Sequence, residues 1–237
     1  MIKVISFTIC PFVQRVTALL EAKQLSYQVE FISLSNKPGW FLDISPNGQV
    51  PVLVTEGGVA LFESDAIVEY LEEAYPPLIP GLAPEQKAQD RAWAYLATKN
   101  YLVQCGAQRS ADLTTLKERG ARLGTAFDKI EAALADRPGP FFAGDTPGLV
   151  DLAWLVLLHR AAIIEARSGY DFIGGARPRV KAWQAALMGT GLAEASVAPE
   201  FDAAFTGFYL SDQTYLGRGC DADSDCADQA CGSGGCC

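Results

Sequence analysis

I-S-F-T-I-C-P-F-V-Q-R-V, residues Ile5 to Val16, joins a strand to a helix through a cysteine. Ile2 to Phe7 is an apolar run rich in β-branched residues and reads as a buried strand, while Val13, Val16 and Leu20 recur at helical spacing. Pro11 then falls at the first helical position, where its fixed φ suits the helix and its missing N–H costs nothing. Cys10 is left at or just before the cap. A thiolate there faces unpaired backbone N–H groups and the positive end of the helix dipole, so the position predicts a thiol more acidic than a free cysteine of pKa ~8.5. Val13 stands where a second cysteine would complete a C-x-x-C motif, so Cys10 needs an external thiol to release any mixed disulfide it forms.

Downstream, Tyr27, Val29 and Phe31 alternate with polar residues, as in a strand exposed on one face. Two parallel strands joined through a helix form a βαβ unit. A loop holding Lys37 follows, then a short helix near Phe41 and an S-P-N-G turn at Ser45 to Gly48. Val52 to Val54 and Val59 to Leu61, split by Gly57-Gly58, read as an antiparallel hairpin. The next helix buries Ile67, Val68, Tyr70 and Leu71, with Ser64 or Asp65 as its cap. The order β-α-β, loop, β-β-α is that of a thioredoxin-like α/β domain over residues 1–75.

Four prolines between Tyr75 and Pro84 prevent helix and mark a linker over 76–84. Beyond it the spacing predicts only helices, giving an all-α domain over 85–210. Leu116, Gly120, Leu123, Phe127, Ile130 and Leu134 form one amphipathic stripe. Leu149 to Ile164 is apolar nearly all round and belongs at the centre of that domain. Phe201, Phe205, Phe208 and Tyr209 share a face of a last helix. Residues 211–237 carry no apolar periodicity and are expected to be a disordered tail.

The 237 residues are 49% hydrophobic, ample for a packed core, and the net charge is −9 without a basic patch. Nucleic-acid and anionic-membrane binding therefore lack electrostatic support. Leu149 to Ile164 is interrupted by Asp151, His159 and Arg160 and is too short to span a bilayer. The N-terminus M-I-K-V-I-S-F has no secretory pattern. Five of the seven cysteines lie between Cys220 and Cys237, leaving only Cys10 and Cys105 in the body, so a reducing, cytoplasmic location is expected. The tail spacing C-x5-C-x4-C-x4-C-C lacks histidine and C-x2-C pairs, and no metal site is assigned to it.

C-P-F-V at Cys10, L-S-N-K-P-G-W-F at Leu34, G-Q-V-P-V-L at Gly48 and F-E-S-D at Phe62, in that order, resemble the cytosolic glutathione transferases, most of all the omega class and its cysteine-type bacterial relatives. The resemblance covers roughly residues 1 to 210. It implies glutathione as co-substrate, with no metal required, and Cys10 as the catalytic residue. It implies a cis Val50-Pro51 bond presenting the Val50 backbone to the cysteinyl unit, with Glu63 and Ser64 on the γ-glutamyl end. Lys37 would pair with the glycyl carboxylate, and Phe12 and Leu34 would line the groove. A homodimer is implied in the same way. The activity it implies is glutathione-dependent thiol transfer or reduction of mixed disulfides, with dehydroascorbate as a further acceptor. The alternatives are conjugation of glutathione to small electrophiles and a non-enzymatic glutathione-binding role. The helix at Leu149 departs from the family: Gly148 stands where Ser or Thr usually caps, three residues before Asp151. His159, the sole histidine, and Cys105 are assigned to the core.

Overall fold

The structure, a computed structural model, describes residues 1–219. The expectations placed on the Cys- and Asp-rich segment from Cys220 onward lie outside the described residues.

The first seven elements are β1 (Ile2–Ser6), α1 (Pro11–Ala22), β2 (Tyr27–Phe31), α2 (Gly39–Ile44), β3 (Val52–Val54), β4 (Ala60–Phe62) and α3 (Ser64–Ala74). They build one four-stranded sheet in the order β2-β1-β3-β4. β1 runs parallel to β2, as the intervening helix requires, and antiparallel to β3, which pairs antiparallel with β4. This is the thioredoxin-like arrangement expected. The last strand begins one residue later than the sequence pattern suggests. Helix α3 also starts differently: Glu63 is its cap, and Ser64 is its first residue rather than a cap. On β2 the apolar side chains are not all covered, because the strand is at the sheet edge; Val29 and Phe31 are both exposed.

Helices α4 (Pro84–Gln108), α5 (Leu113–Leu134), α6 (Leu149–Ser168), α7 (Pro178–Met188), α8 (Leu192–Ala195), α9 (Phe201–Tyr209) and α10 (Tyr215–Arg218) follow. Pro84, expected in the linker, opens α4 at the first turn, where proline is tolerated. Leu116, Leu123, Phe127 and Ile130 of α5 are fully buried as one stripe. Every residue of α6 from Val150 to Ala161 is buried, so this helix is the axis of the second domain. Residues 211–219 correct the expected tail boundary. Thr214 caps α10 by accepting from the Gly217 N–H at 3.0 Å and donates to the Tyr209 carbonyl at 2.9 Å, and Tyr215 and Leu216 are buried. The aromatic face of α9 is narrower than expected. Phe201, Phe205 and Tyr209 are buried, but Phe208 turns outward beneath Arg109, whose guanidinium carbon is 4.8 Å from the ring centre.

Packing explains the glycine at the cap of α6. A Cβ on Gly148 would stand 2.9 Å from the Ala143 Cβ and 3.3 Å from Ile79 Cγ1, so serine has no room. Asp151 supplies the cap bond from the other side, accepting from the Gly148 N–H at 2.9 Å. The same buried carboxylate accepts from the Phe142 and Ala143 N–H groups at 2.7 and 3.2 Å and from Trp183 Nε1 at 2.7 Å. No described helix is long and apolar enough to cross a membrane.

Candidate active site

Cys10 is the cap of α1, in extended backbone conformation, and Pro11 occupies the first turn. Its N–H donates to the Phe7 carbonyl at 3.0 Å, and its own carbonyl accepts from the Gln14 N–H at 3.2 Å. The thiol is half-buried, and its acidity differs from the sequence expectation. Burial pushes the Cys10 thiol above its ordinary value, outweighing the N–H groups of Val13 and Phe12 and the charge of Arg160, which all favour the thiolate.

Beside it, Phe12, Val50, Pro51, Glu63 and Ser64 line one cleft. The Val50-Pro51 bond is cis. Glu63 has φ +69°, a left-handed conformation that costs a non-glycine residue about 1–2 kcal/mol. Asn47 Nδ2 donates to one Glu63 carboxylate oxygen at 2.7 Å, which leaves the second oxygen for another donor. No side chain caps α3, so the amides of its first turn are open to an anion. Behind this turn Asp65 pairs with the buried Arg15 of α1.

Lys37 is not among the cleft residues, but its Nζ lies 3.6 Å from the point where a side chain on Gly48 would begin, beside Asn47 and Gln49 in the chain. Gly48 itself has φ +61°, which the 45–49 turn needs. Leu34 is not among the cleft residues; it is 40% exposed in the loop after β2. Asn47 and Gln49 do line the cleft and were missed in the sequence, where S-P-N-G reads as nothing more than a turn. An apolar cavity, roughly 300 Å³, is lined by Cys10 itself and opens between α1, α4 and α9.

Under Cys10 lies a buried polar network with no local sequence signature. Arg160 of α6 donates to the Gln14 side-chain oxygen and, at 3.2 Å, to the Ile9 carbonyl, which immediately precedes the cysteine. With its oxygen so engaged, Gln14 turns Nε2 to His159 Nδ1 at 2.9 Å. His159 is thus a hydrogen-bonded core residue, as expected. Trp93 is half-buried against the core, 5.9 Å from the Phe142 ring, with its carbonyl accepting from Trp154 Nε1 at 3.1 Å.

Two family models match the two halves of the chain: "Glutathione S-transferase, N-terminal domain" over residues 9–74 and "Glutathione S-transferase, C-terminal domain" over residues 114–186. Glutathione S-transferase omega-1 of Sus scrofa is 33% identical over 216 residues, 89% of this chain and 86% of that protein. The chain belongs to the glutathione S-transferase family. Within it the transferase is omega-like. It is similar to glutathione transferase Omega 3C of Trametes versicolor, with a TM-score of 0.71 and 26% identity over 88% of this chain and 90% of that one. Glutathione S-transferase DHAR2 of Arabidopsis thaliana is 39% identical over 150 residues, 61% of the transferase and 63% of that protein. Glutathione is the co-substrate of such an enzyme, and the chemistry of the cleft fits it. The cleft offers a carboxylate with a free oxygen and uncapped helix amides, groups that suit an ammonium and a carboxylate.

Proposed function

We propose that this transferase moves thiol equivalents: the Cys10 thiolate attacks a mixed disulfide, takes up glutathione as a Cys10–glutathione disulfide, and a second glutathione releases it. The observation that supports this reading is Cys10 at the α1 cap, where it lines the apolar cavity, with Phe12 shared between that cavity and the glutathione-type cleft. Hydroxyl-type members only stabilise the glutathione thiolate, and this chain offers a sulfur instead. Glu63, Ser64 and Lys37 are assigned to the two ends of glutathione, Val50 and Pro51 to its cysteinyl backbone, and Phe12 to the groove wall. Dehydroascorbate stands beside small mixed disulfides as an acceptor. We also assign a homodimer and a cytoplasmic setting. The latter agrees with two free body thiols, Cys10 and Cys105, as a reducing compartment maintains.

Cys10→Ser tests the mechanism. The variant should lose glutathione-dependent reduction of a small mixed disulfide almost completely, while keeping glutathione binding and retaining or gaining conjugation to an aryl halide. If the parent conjugates the aryl halide readily, reduces no disulfide and carries no glutathionyl mass on Cys10, conjugation is the activity and thiol transfer is wrong.

A further inference from the structure

The apolar cavity beside Cys10 holds a second thiol. Cys105, on α4, lines the same space, and both sulfurs are free and half-buried. The helices that carry them touch here, with the Phe12 and Tyr101 rings edge to face at 5.3 Å, one turn before Cys105. Arg160 gives a second, independent observation. Its guanidinium is fully buried, its Nε has no hydrogen-bond partner, and among the described residues no carboxylate pairs with it. Ionisable groups that feel its charge include Cys105, Tyr209, Cys10 and Tyr101, together with the neutral ring of His159. A buried cation without a counter-ion favours a negative charge nearby, and a thiolate can supply one.

We propose that Cys105 is the resolving thiol of this enzyme, attacking the Cys10–glutathione disulfide to form a Cys10–Cys105 disulfide. The proposal rests on the thiol-transfer reading above. The first step breaks the disulfide of the substrate and expels its other half as a thiol, leaving glutathione on Cys10. In the second, the Cys105 thiolate bonds to the Cys10 sulfur, and glutathione leaves as a thiolate that takes a proton. The two protein thiols thus supply both electrons, and the substrate disulfide becomes two thiols. Two further glutathiones then reduce the internal disulfide and leave as oxidised glutathione. C-P-F-V looks monothiol along the sequence, but the partner it lacks at Val13 is supplied from α4. A resolving thiol inside the cavity frees Cys10 of glutathione without waiting for a second glutathione to reach the adduct.

The reduced full-length chain, given one equivalent of oxidised glutathione and then trypsin without reductant, decides the matter. Cys10 falls in the peptide spanning 4–15, Cys105 in that spanning 100–109, and the tail cysteines in that spanning 219–237. The parent should yield 4–15 linked to 100–109, with both halves of the oxidised glutathione released as thiols. Cys105→Ser and Cys105→Ala should instead keep one glutathionyl mass on 4–15. A parent that keeps the adduct as fully as the variants, or links 4–15 to 219–237, overturns the resolving role and leaves thiol transfer standing. If 4–15 carries neither adduct nor link in any of these chains, both readings fall.

Discussion

Acidification should loosen this fold through one ring. His159 is 7% exposed and lies against Phe201, with ring centres 5.5 Å apart. Its Nδ1 must accept from Gln14 Nε2, because Arg160 already holds the Gln14 oxygen. Protonation would set one N–H against another. Burial first, and then the neighbouring Arg160 charge, pull its pKa from 6.5 down to about 4, against a smaller opposing pull from Asp202. Between these values the unfolded chain binds more protons than the folded one. Stability is therefore whole above pH ~6.5, falls as pH drops through the window, and stops falling below about pH 4. The gap corresponds to about 3 kcal/mol at full protonation and about 2 kcal/mol by pH 5. Urea midpoints of the parent and of His159→Gln, compared between pH 7.5 and 5, isolate this contribution from that of the carboxylates. As the sole histidine, His159 also gives a single imidazole proton signal to titrate. Parallel pH profiles for the two chains, or a ring signal with its midpoint at 6.5 or above, would refute the reasoning.

Asp151→Ala should cost about 3–5 kcal/mol in urea unfolding, since it orphans three buried N–H donors, with the part-buried Ala143 N–H as a fourth, at ~1–3 kcal/mol for each buried one with partial relaxation. A loss below ~1 kcal/mol would mean the carboxylate does not organise the start of α6. Gly48→Ala should lose about 1–2 kcal/mol of stability from the positive φ, and Lys37→Ala should weaken retention on immobilised glutathione. Unchanged retention would remove Lys37 from the site.

What the sequence revealed follows from how local the governing physics is. The cis Val50-Pro51 bond came only with the resemblance of the motif around it, whereas Pro11 after Cys10 acts through its own backbone and could be read directly. So could α5, whose stripe of buried residues has the helical period. Leu34 and Lys37 both lie outside the cleft lining, in a loop, and position in a loop does not fix which way a side chain turns. The Cys10 acidity failed for a different reason. The helix terminus is visible in the sequence, but the walls that bury the thiol come from α4 and α9, about a hundred and two hundred residues away. The Arg160–Gln14–His159 network is equally non-local. Tyr215 and Leu216 were overlooked because a helix of one turn has too few residues to show a period.

The buried apolar residues make no break at the linker. One continuous cluster takes in Val4, Val16 and Ile67 from the first half and Tyr101, Trp154 and Phe205 from the second. Topology divides this chain in two, but its apolar core gives the halves no separate account, and they should melt as one cooperative unit. Residues 1–75 expressed alone would bare the faces of α1 and α3 that now rest on helices. A chimera that keeps the glutathione-binding half and borrows another acceptor-binding half would inherit a mismatched core along with its new specificity. Exchange of acceptor preference in this scaffold must therefore proceed residue by residue around the cavity, because the helical half cannot be traded as a module.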